Sequence, residues 1–193
     1  PAVCAARLPD AQADDLLSTV DALLPDGEPG EGIIAHHSAR CAMEVALLDL
    51  ITRQGDRSLA DLLPPRMGQV QYSGAVTGGS VDRALKHAQM MKTMGFAHMK
   101  VKVGGEDTLV RVARIRDQVG PEMGIRLDAN EAWSPDEAIQ ALADLAALNI
   151  EAIEQPVHRR DTNALPRIRE ASAVPVMVDE SLITPQDATE LIA

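Results

Sequence analysis

From Val70 onward the chain keeps a rhythm that few folds can accommodate. Short apolar runs at 70–76, 98–103, 124–128, 150–154 and 175–179 alternate with segments of helical spacing at 80–94, 106–118, 135–148, 161–171 and 185–193. Strand-length runs followed by longer stretches of period 3.6 describe βα units, and five in a row require a parallel sheet with helices packed on it. Several helices announce their starts: Ser80, then Ser134-Pro135 with Glu137 three residues beyond Ser134, and Thr184-Pro185. A hydroxyl satisfies orphan amides at a helix start, and proline at the first helical position needs no donor. Two architectures hold such units, an open doubly wound sheet and a closed barrel. A nucleotide-binding doubly wound sheet shows a glycine-rich turn after its first strand. Neither Gly78-Gly79 nor Gly104-Gly105 fits that pattern. A barrel is therefore the expected architecture, with functional side chains at the C-terminal ends of several strands.

Ahead of this region the pattern is helical. Leu16, Leu17, Val20, Leu23 and Leu24 predict a helix over 10–24, stopped by Pro25 and Gly27, and 26–32 reads as a loop. Ser38 reads as the cap of a second helix. That helix carries Cys41, Val45, Leu48 and Thr52 along one side, flanked by Ala42, Leu47 and Ile51. An apolar surface nearly all round predicts burial. Ser58 opens a short helical turn through Leu63, ended by Pro64 and Pro65. The expected division is a mostly helical segment 1–66 followed by barrel units over 67–193.

Charge and composition exclude several functions. The net charge is −11 and no basic run is present, so neither nucleic acid nor an anionic membrane is an expected partner. The longest apolar runs are far shorter than a membrane span. The opening Pro-Ala-Val-Cys shows no signal peptide. Cys4 and Cys41 suggest neither a disulfide framework nor a zinc site, and the expected setting is the cytoplasm. Trp133, Tyr72 and Phe96 are the only aromatic residues, too few for a platform that stacks bases.

Acidic residues close three of the strand-like runs. Asp128 ends Gly-Ile-Arg-Leu-Asp, Glu154 ends Ile-Glu-Ala-Ile-Glu, and Asp179 ends Val-Met-Val-Asp, at intervals of 26 and 25 residues. Lys100 and Lys102 stand two apart in the preceding run, so they share a face, while Met99, Val101 and Val103 take the other. Asp128 shares its face with Arg126, and Ile125 and Leu127 face the helices. Three carboxylates aimed at one place repel one another and are costly to desolvate. A hard divalent cation resolves this, and Mg²⁺ prefers oxygen ligands in octahedral geometry. No His or Cys stands at these strand ends, which argues against zinc. Repulsion between the lysines, and a nearby metal, would lower a lysine pKa toward the range of a general base. Taken singly, each acid could be a helix cap or a surface ion-pair partner; the joint pattern has no such account. The remaining candidates have structural readings: His36-His37 as a solvated pair, His98 as a packed and hydrogen-bonded group, Trp133 as packing beneath a loop. Met90, Met91 and Met94 read as core and edge packing.

The stretches Lys-Val-Lys-Val-Gly (100–104), Asp-Ala-Asn (128–130), Glu-Gln-Pro (154–156) and Asp-Glu-Ser (179–181) together resemble the enolase superfamily, in its muconate-lactonizing subgroup (the mandelate racemase and muconate lactonizing enzyme family). Ala-Met-Glu-Val-Ala-Leu-Leu-Asp-Leu (42–50) is similar to that family's buried helix leading into the barrel. The resemblance implies an α/β fold with about five βα units of a modified (β/α)7β TIM-type barrel, preceded by helices of an N-terminal α+β capping domain. It implies that Asp128, Glu154 and Asp179 bind Mg²⁺, with Mn²⁺ as a possible substitute. Lys102 would remove or return the proton alpha to a substrate carboxylate, and Lys100 would hold that carboxylate and stabilise the enediolate. Asn130, Gln155 and Glu180 would support the site or touch substrate. The implied activity is racemisation or epimerisation of an amino-acid derivative or dipeptide. The alternatives are a muconate-type cycloisomerase, an acid dehydratase, or an incomplete barrel with a binding or structural role. An aldolase-like barrel with a Schiff-base lysine would not need three evenly spaced acids. The expected partner is a small carboxylate, in a homo-oligomer when full-length. The subgroup's further lysine is expected near position 203 and its covering loops before residue 1. The chain is thus expected to be part of a longer enzyme, and to fold poorly and lack activity alone.

Overall fold

The computed structural model describes residues 37–192. The chain divides into two compact units, Pro1–Val70 and Gln71–Ala193. The helix expected over 10–24, the loop over 26–32, Cys4 and His36 lie outside the described residues.

In the first unit two helices are described, α1 (His37–Gln54) and α2 (Leu59–Leu62). Helix α1 already contains Ser38, which therefore does not cap it. The expected burial of this helix also fails: Met43, Val45 and Leu50 are 43% to 55% exposed. Its described companion in this unit, the four-residue α2, is too short to cover about five turns. Thr52 is buried, its hydroxyl donating to the Leu48 and Asp49 carbonyls. Ser58 starts α2 as expected, with its backbone N–H and its hydroxyl both donating to Asp61 at 2.7 and 2.9 Å.

The second unit is built as β1 (Ser73–Val76), α3 (Val81–Thr93), β2 (His98–Lys102), α4 (Thr108–Val119), β3 (Gly124–Asp128), α5 (Pro135–Leu145), β4 (Ile150–Glu154), α6 (Leu165–Ala171), β5 (Val176–Met177) and α7 (Pro185–Ile192). The five strands form one parallel sheet in the order β1-β2-β3-β4-β5. A doubly wound sheet reverses its strand order at a switch point. This sheet does not; its order is that of adjacent barrel staves. The alternation seen in the sequence is thus the fold's framework, with two adjustments. Strand β1 begins at Ser73, and β5 has only two residues, so Asp179 lies in the turn beyond the strand.

Alternation along the strands builds the core. Met99, Val101, Ile125, Leu127 and Ile153 are fully buried and join Ala84 and Ala88 of α3, Val112 and Ile115 of α4, Leu142 of α5 and Ile168 of α6. Each such side chain contributes roughly 1.5–3 kcal/mol by leaving water. The opposite sheet face carries His98, Lys100, Lys102, Arg126 and Asp128. The cap signals hold: the Ser80 hydroxyl accepts from the Arg83 N–H at 3.3 Å, and Ser134 and Glu137 bond reciprocally at 3.4 and 2.8 Å. Asp187 accepts from the N–H groups of Ile183 and Thr184. Trp133 is buried and its backbone bridges to Val157, in keeping with a packing role. Met91 packs against the core, while Met90 and Met94 stay exposed.

Two features have no local signature in the sequence. Arg116 of α4 is buried and donates to five carbonyls, those of Gly120 and Met123 at 2.7 Å, Asn149 at 2.8 Å, Leu148 at 2.9 Å and, more weakly, Pro121 at 3.5 Å. It ties the end of α4 to the entrances of β3 and β4, and burial pulls its pKa below the ordinary arginine value. At the N-terminal end of the sheet, His98 Nδ1 meets Glu151 at 2.9 Å across β3. They meet because Gly124 lies between them, where a Cβ would run into both side chains.

Candidate active site

The charged strand ends converge through strand register. Lys102 stands beside Asp128, and Asp128 beside Glu154. Neighbouring strands are about 4.8 Å apart, close enough for a lysine to reach the adjacent acid and the one beyond it. Lys100 Nζ lies 2.7 Å from Asp128 Oδ2 and 2.6 Å from Glu154 Oε1, and Lys102 Nζ lies 2.6 Å from Asp128 Oδ2. Asp128 is fully buried and its Oδ1 accepts from the Asn130 N–H at 3.0 Å. Lys102 also donates to the Asn130 side-chain oxygen, and Asn130 Nδ2 donates to Glu180 Oε1 at 3.0 Å. The network thus runs from β2 to the turn after β5, where Glu180 Oε2 is buried without a partner.

Burial alone would raise the Asp128 pKa; hydrogen bonds from Lys100, Lys102 and the Asn130 backbone outweigh it and hold the carboxyl below its ordinary value. Burial likewise pulls Lys100 down, and the bonds and charges of Asp128 and Glu154 outweigh it, leaving its pKa above the ordinary lysine value. The expectation of a lowered lysine pKa rests on a nearby metal as well as on the second ammonium; at Lys100 the two carboxylates by themselves act in the other direction. Lysine–lysine repulsion is real, but at Lys100 two carboxylates within hydrogen-bond distance are stronger.

The loops after β3 and β4 are held by their own ion pair. Glu131 Oε1 accepts from the Arg159 N–H at 2.6 Å and Nε at 2.9 Å, and Oε2 from Nη2 at 2.7 Å. Arg159 holds the Glu131 carboxyl down at about 2. The motif reading missed this pair. Its signal is an acid just beyond strand three and an arginine just beyond strand four, opposite charges on adjacent loops. A depressed carboxylate adds stability that is complete above 4.5 and is lost as pH falls from there toward 2. Unfolding free energy measured against pH should therefore fall across that window, and Glu131→Gln should flatten part of the slope. Gly104, at φ 113°, brings the loop after β2 against Ala132 of the same region, where a Cβ would stand 2.5 Å from the alanine methyl.

Of the residues singled out from sequence, Lys100, Lys102, Asp128, Glu154, Asn130 and Glu180 form one connected network. Asp179 is exposed in the turn, and Gln155 reaches it through the backbone at 2.9 Å. As placed, no three His, Cys, Asp or Glu among the described residues form a group that could hold a metal ion; Lys100 bridges two of the three acids instead. The donor chemistry itself fits magnesium. The three acids offer only oxygen, two are buried neighbours in register, and Asp128 is an anion that must be met by positive charge.

A parallel sheet in sequential order, with acids and lysines gathered toward the C-terminal ends of its strands, defines the catalytic-barrel class of α/β proteins. The family described as "Enolase C-terminal domain-like" matches residues 83–193, and the chain belongs to it. The L-Ala-D/L-Glu epimerase of Bacillus subtilis (strain 168) is 35% identical over 160 residues, covering 80% of this chain and 44% of that protein. The chloromuconate cycloisomerase of Cupriavidus pinatubonensis is 34% identical over 164 residues, covering 82% and 44%. Among solved structures, the dipeptide epimerase from Cytophaga hutchinsonii complexed with Mg and the dipeptide D-Ala-L-Val superposes with a TM-score of 0.72 at 35% identity, covering 77% of this chain and 41% of that one. The chain therefore spans somewhat less than half the length of these relatives. The resemblance seen in the motifs is a true family relationship. Among the described residues no helix is long and apolar enough to cross a membrane.

Proposed function

We propose that this chain carries the proton-transfer and metal-binding strands of an isomerase that epimerises a dipeptide at the carbon alpha to its carboxylate. The observation that carries this reading is the pairing of Lys100 and Lys102 with Asp128 and Glu154 across three adjacent strands, toward their C-terminal ends. Lys102, at the strand end, would take the proton from one face of that carbon, or return one to it, with the opposite face served by a second group. Lys100, a standing cation, would hold the substrate carboxylate. Asp128, Glu154 and Asp179 would hold Mg²⁺, or Mn²⁺ in its place, which when bound supplies positive charge at the substrate's carboxylate oxygens. Asn130 would keep the Lys102 ammonium aimed at the site, and Glu180 would hold Asn130. The first unit would be the remainder of a capping domain, and the full-length protein a cytoplasmic homo-oligomer. The similarity to a chloromuconate cycloisomerase supports a second reading, in which the same residues act on a muconate.

The test is incubation of the full-length protein with L-Ala-L-Glu and Mg²⁺ in D₂O, followed by proton NMR. Loss of the alpha-proton signal at one residue of the dipeptide is the expected result. No exchange with any dipeptide, alongside consumption of a muconate, would favour the second reading. Asp179→Ala should weaken Mg²⁺ binding about a hundredfold or more, because two remaining carboxylates leave the shell short of anionic ligands. Calorimetry showing unchanged affinity would remove Asp179 from the metal site.

A further inference from the structure

The turn that bears Asp179 has little to hold it. Strand β5 pairs with β4 at only two positions, Ile153 with Val176 and Glu154 with Met177. One further backbone bond follows, from the Gln155 N–H to the Met177 carbonyl at 3.0 Å. Beyond it a side chain takes over. Gln155 is fully buried, and its backbone stands at φ 40°, in the left-handed region that non-glycine residues enter at a cost of roughly 1 kcal/mol or more. Its Oε1 accepts from the N–H of Asp179 at 2.9 Å and from the N–H of Ser181 at 3.1 Å. Its Nε2 donates to the Ser181 hydroxyl at 2.7 Å and to the Val157 carbonyl at 2.9 Å. Every hydrogen-bonding position of the amide is used.

From this geometry we infer that Gln155 is the positioning residue for Asp179: its amide extends the β4–β5 pairing past the end of the strand and sets where the third acid stands relative to Asp128 and Glu154. The inference rests on the metal reading above. Glu154, one residue earlier, is itself a proposed ligand, so a single strand end supplies one ligand and fixes the position of another. Only an amide suits the role. It must offer an acceptor to two backbone donors and a donor to a backbone carbonyl at once, which neither a carboxylate nor an ammonium can do.

The test is a double-mutant cycle on the full-length protein, with Mg²⁺ titrated by calorimetry into wild type, Gln155→Met, Asp179→Asn and the double variant. Gln155→Met should weaken binding about ten- to a hundredfold while Asp179 is present. It should cost less than about twofold once Asp179 is Asn, because the two act as one unit. Equal losses in both backgrounds would overturn the proposal and leave Gln155 a general packing residue. Should the Met variant fail to fold, Gln155→Asn replaces it: one methylene shorter, it cannot reach Asp179, and wild-type affinity in that variant overturns the proposal equally. A second readout needs no metal. Amide hydrogen exchange at Asp179 and Ser181 should quicken in the Gln155 variants, and unchanged exchange there counts against the clamp. Wild-type Mg²⁺ affinity in Asp179→Asn would instead sink the metal reading, and is told apart because the exchange at these two amides would still respond to Gln155.

Discussion

On the proposed reading, Lys102→Ala in the full-length protein should slow exchange of the substrate's alpha proton by about a hundred- to ten-thousandfold and leave magnesium binding largely intact. The two lysines of β2 share a face but not an environment. Lys102 is the last residue of its strand, and its side chain is 40% exposed against 26% for Lys100. Lys100 is engaged by two carboxylates, Asp128 and Glu154, whereas Lys102 is engaged by one, so Lys102 is the freer to turn toward a substrate. Removing Lys102 takes one cation from Asp128 and nothing from the set of carboxylates, so the metal site should persist. Lys100→Met should lower the rate without changing which face of the substrate exchanges. The measurement is deuterium incorporation by NMR, face by face. Exchange at the wild-type rate on the Lys102 face would reverse the assignment of roles.

Arg116→Leu should cost about 3–5 kcal/mol of unfolding free energy, the range in which a buried hydrogen-bonding group loses its partner. Five carbonyls, three between α4 and β3 and two just ahead of β4, depend on one guanidinium. Each carbonyl left buried and unpaired costs about 1–3 kcal/mol, with part recovered wherever water enters. Arg116→Lys should recover less than half, since a single ammonium cannot follow a planar fork to these acceptors. Urea unfolding monitored by circular dichroism measures both variants at a common slope. A loss below about 1 kcal/mol for the leucine variant would mean that solvent serves these carbonyls.

The fold was legible in the sequence because both of its signals are local. Apolar alternation around Met99, Val101, Ile125 and Leu127, and cap residues such as Ser80 and Ser134, are readable within a few positions of themselves. The acids at the strand ends were legible for the same reason. Contacts set by strand register were not. Nothing near Lys100 in the chain says that its ammonium meets both Asp128 and Glu154. The same holds for the bonds from Arg116 to Leu148 and Asn149 and from Gln155 to Asp179 and Ser181, which reach about one βα unit along the chain to partners that are largely backbone groups without sequence identity. Helix α1 failed for another reason: an apolar surface states what a helix would bury against, not whether the neighbour is there.

The strand order has a kinetic consequence. Among the described residues each strand of the second unit pairs with the strands one βα unit before and after it, so these contacts do not wait for a distant part of the chain. Loop-closure entropy is then met in small, equal steps instead of one large one. A ribosome releasing this chain can add one finished stave at a time, each laid on the edge left by the last.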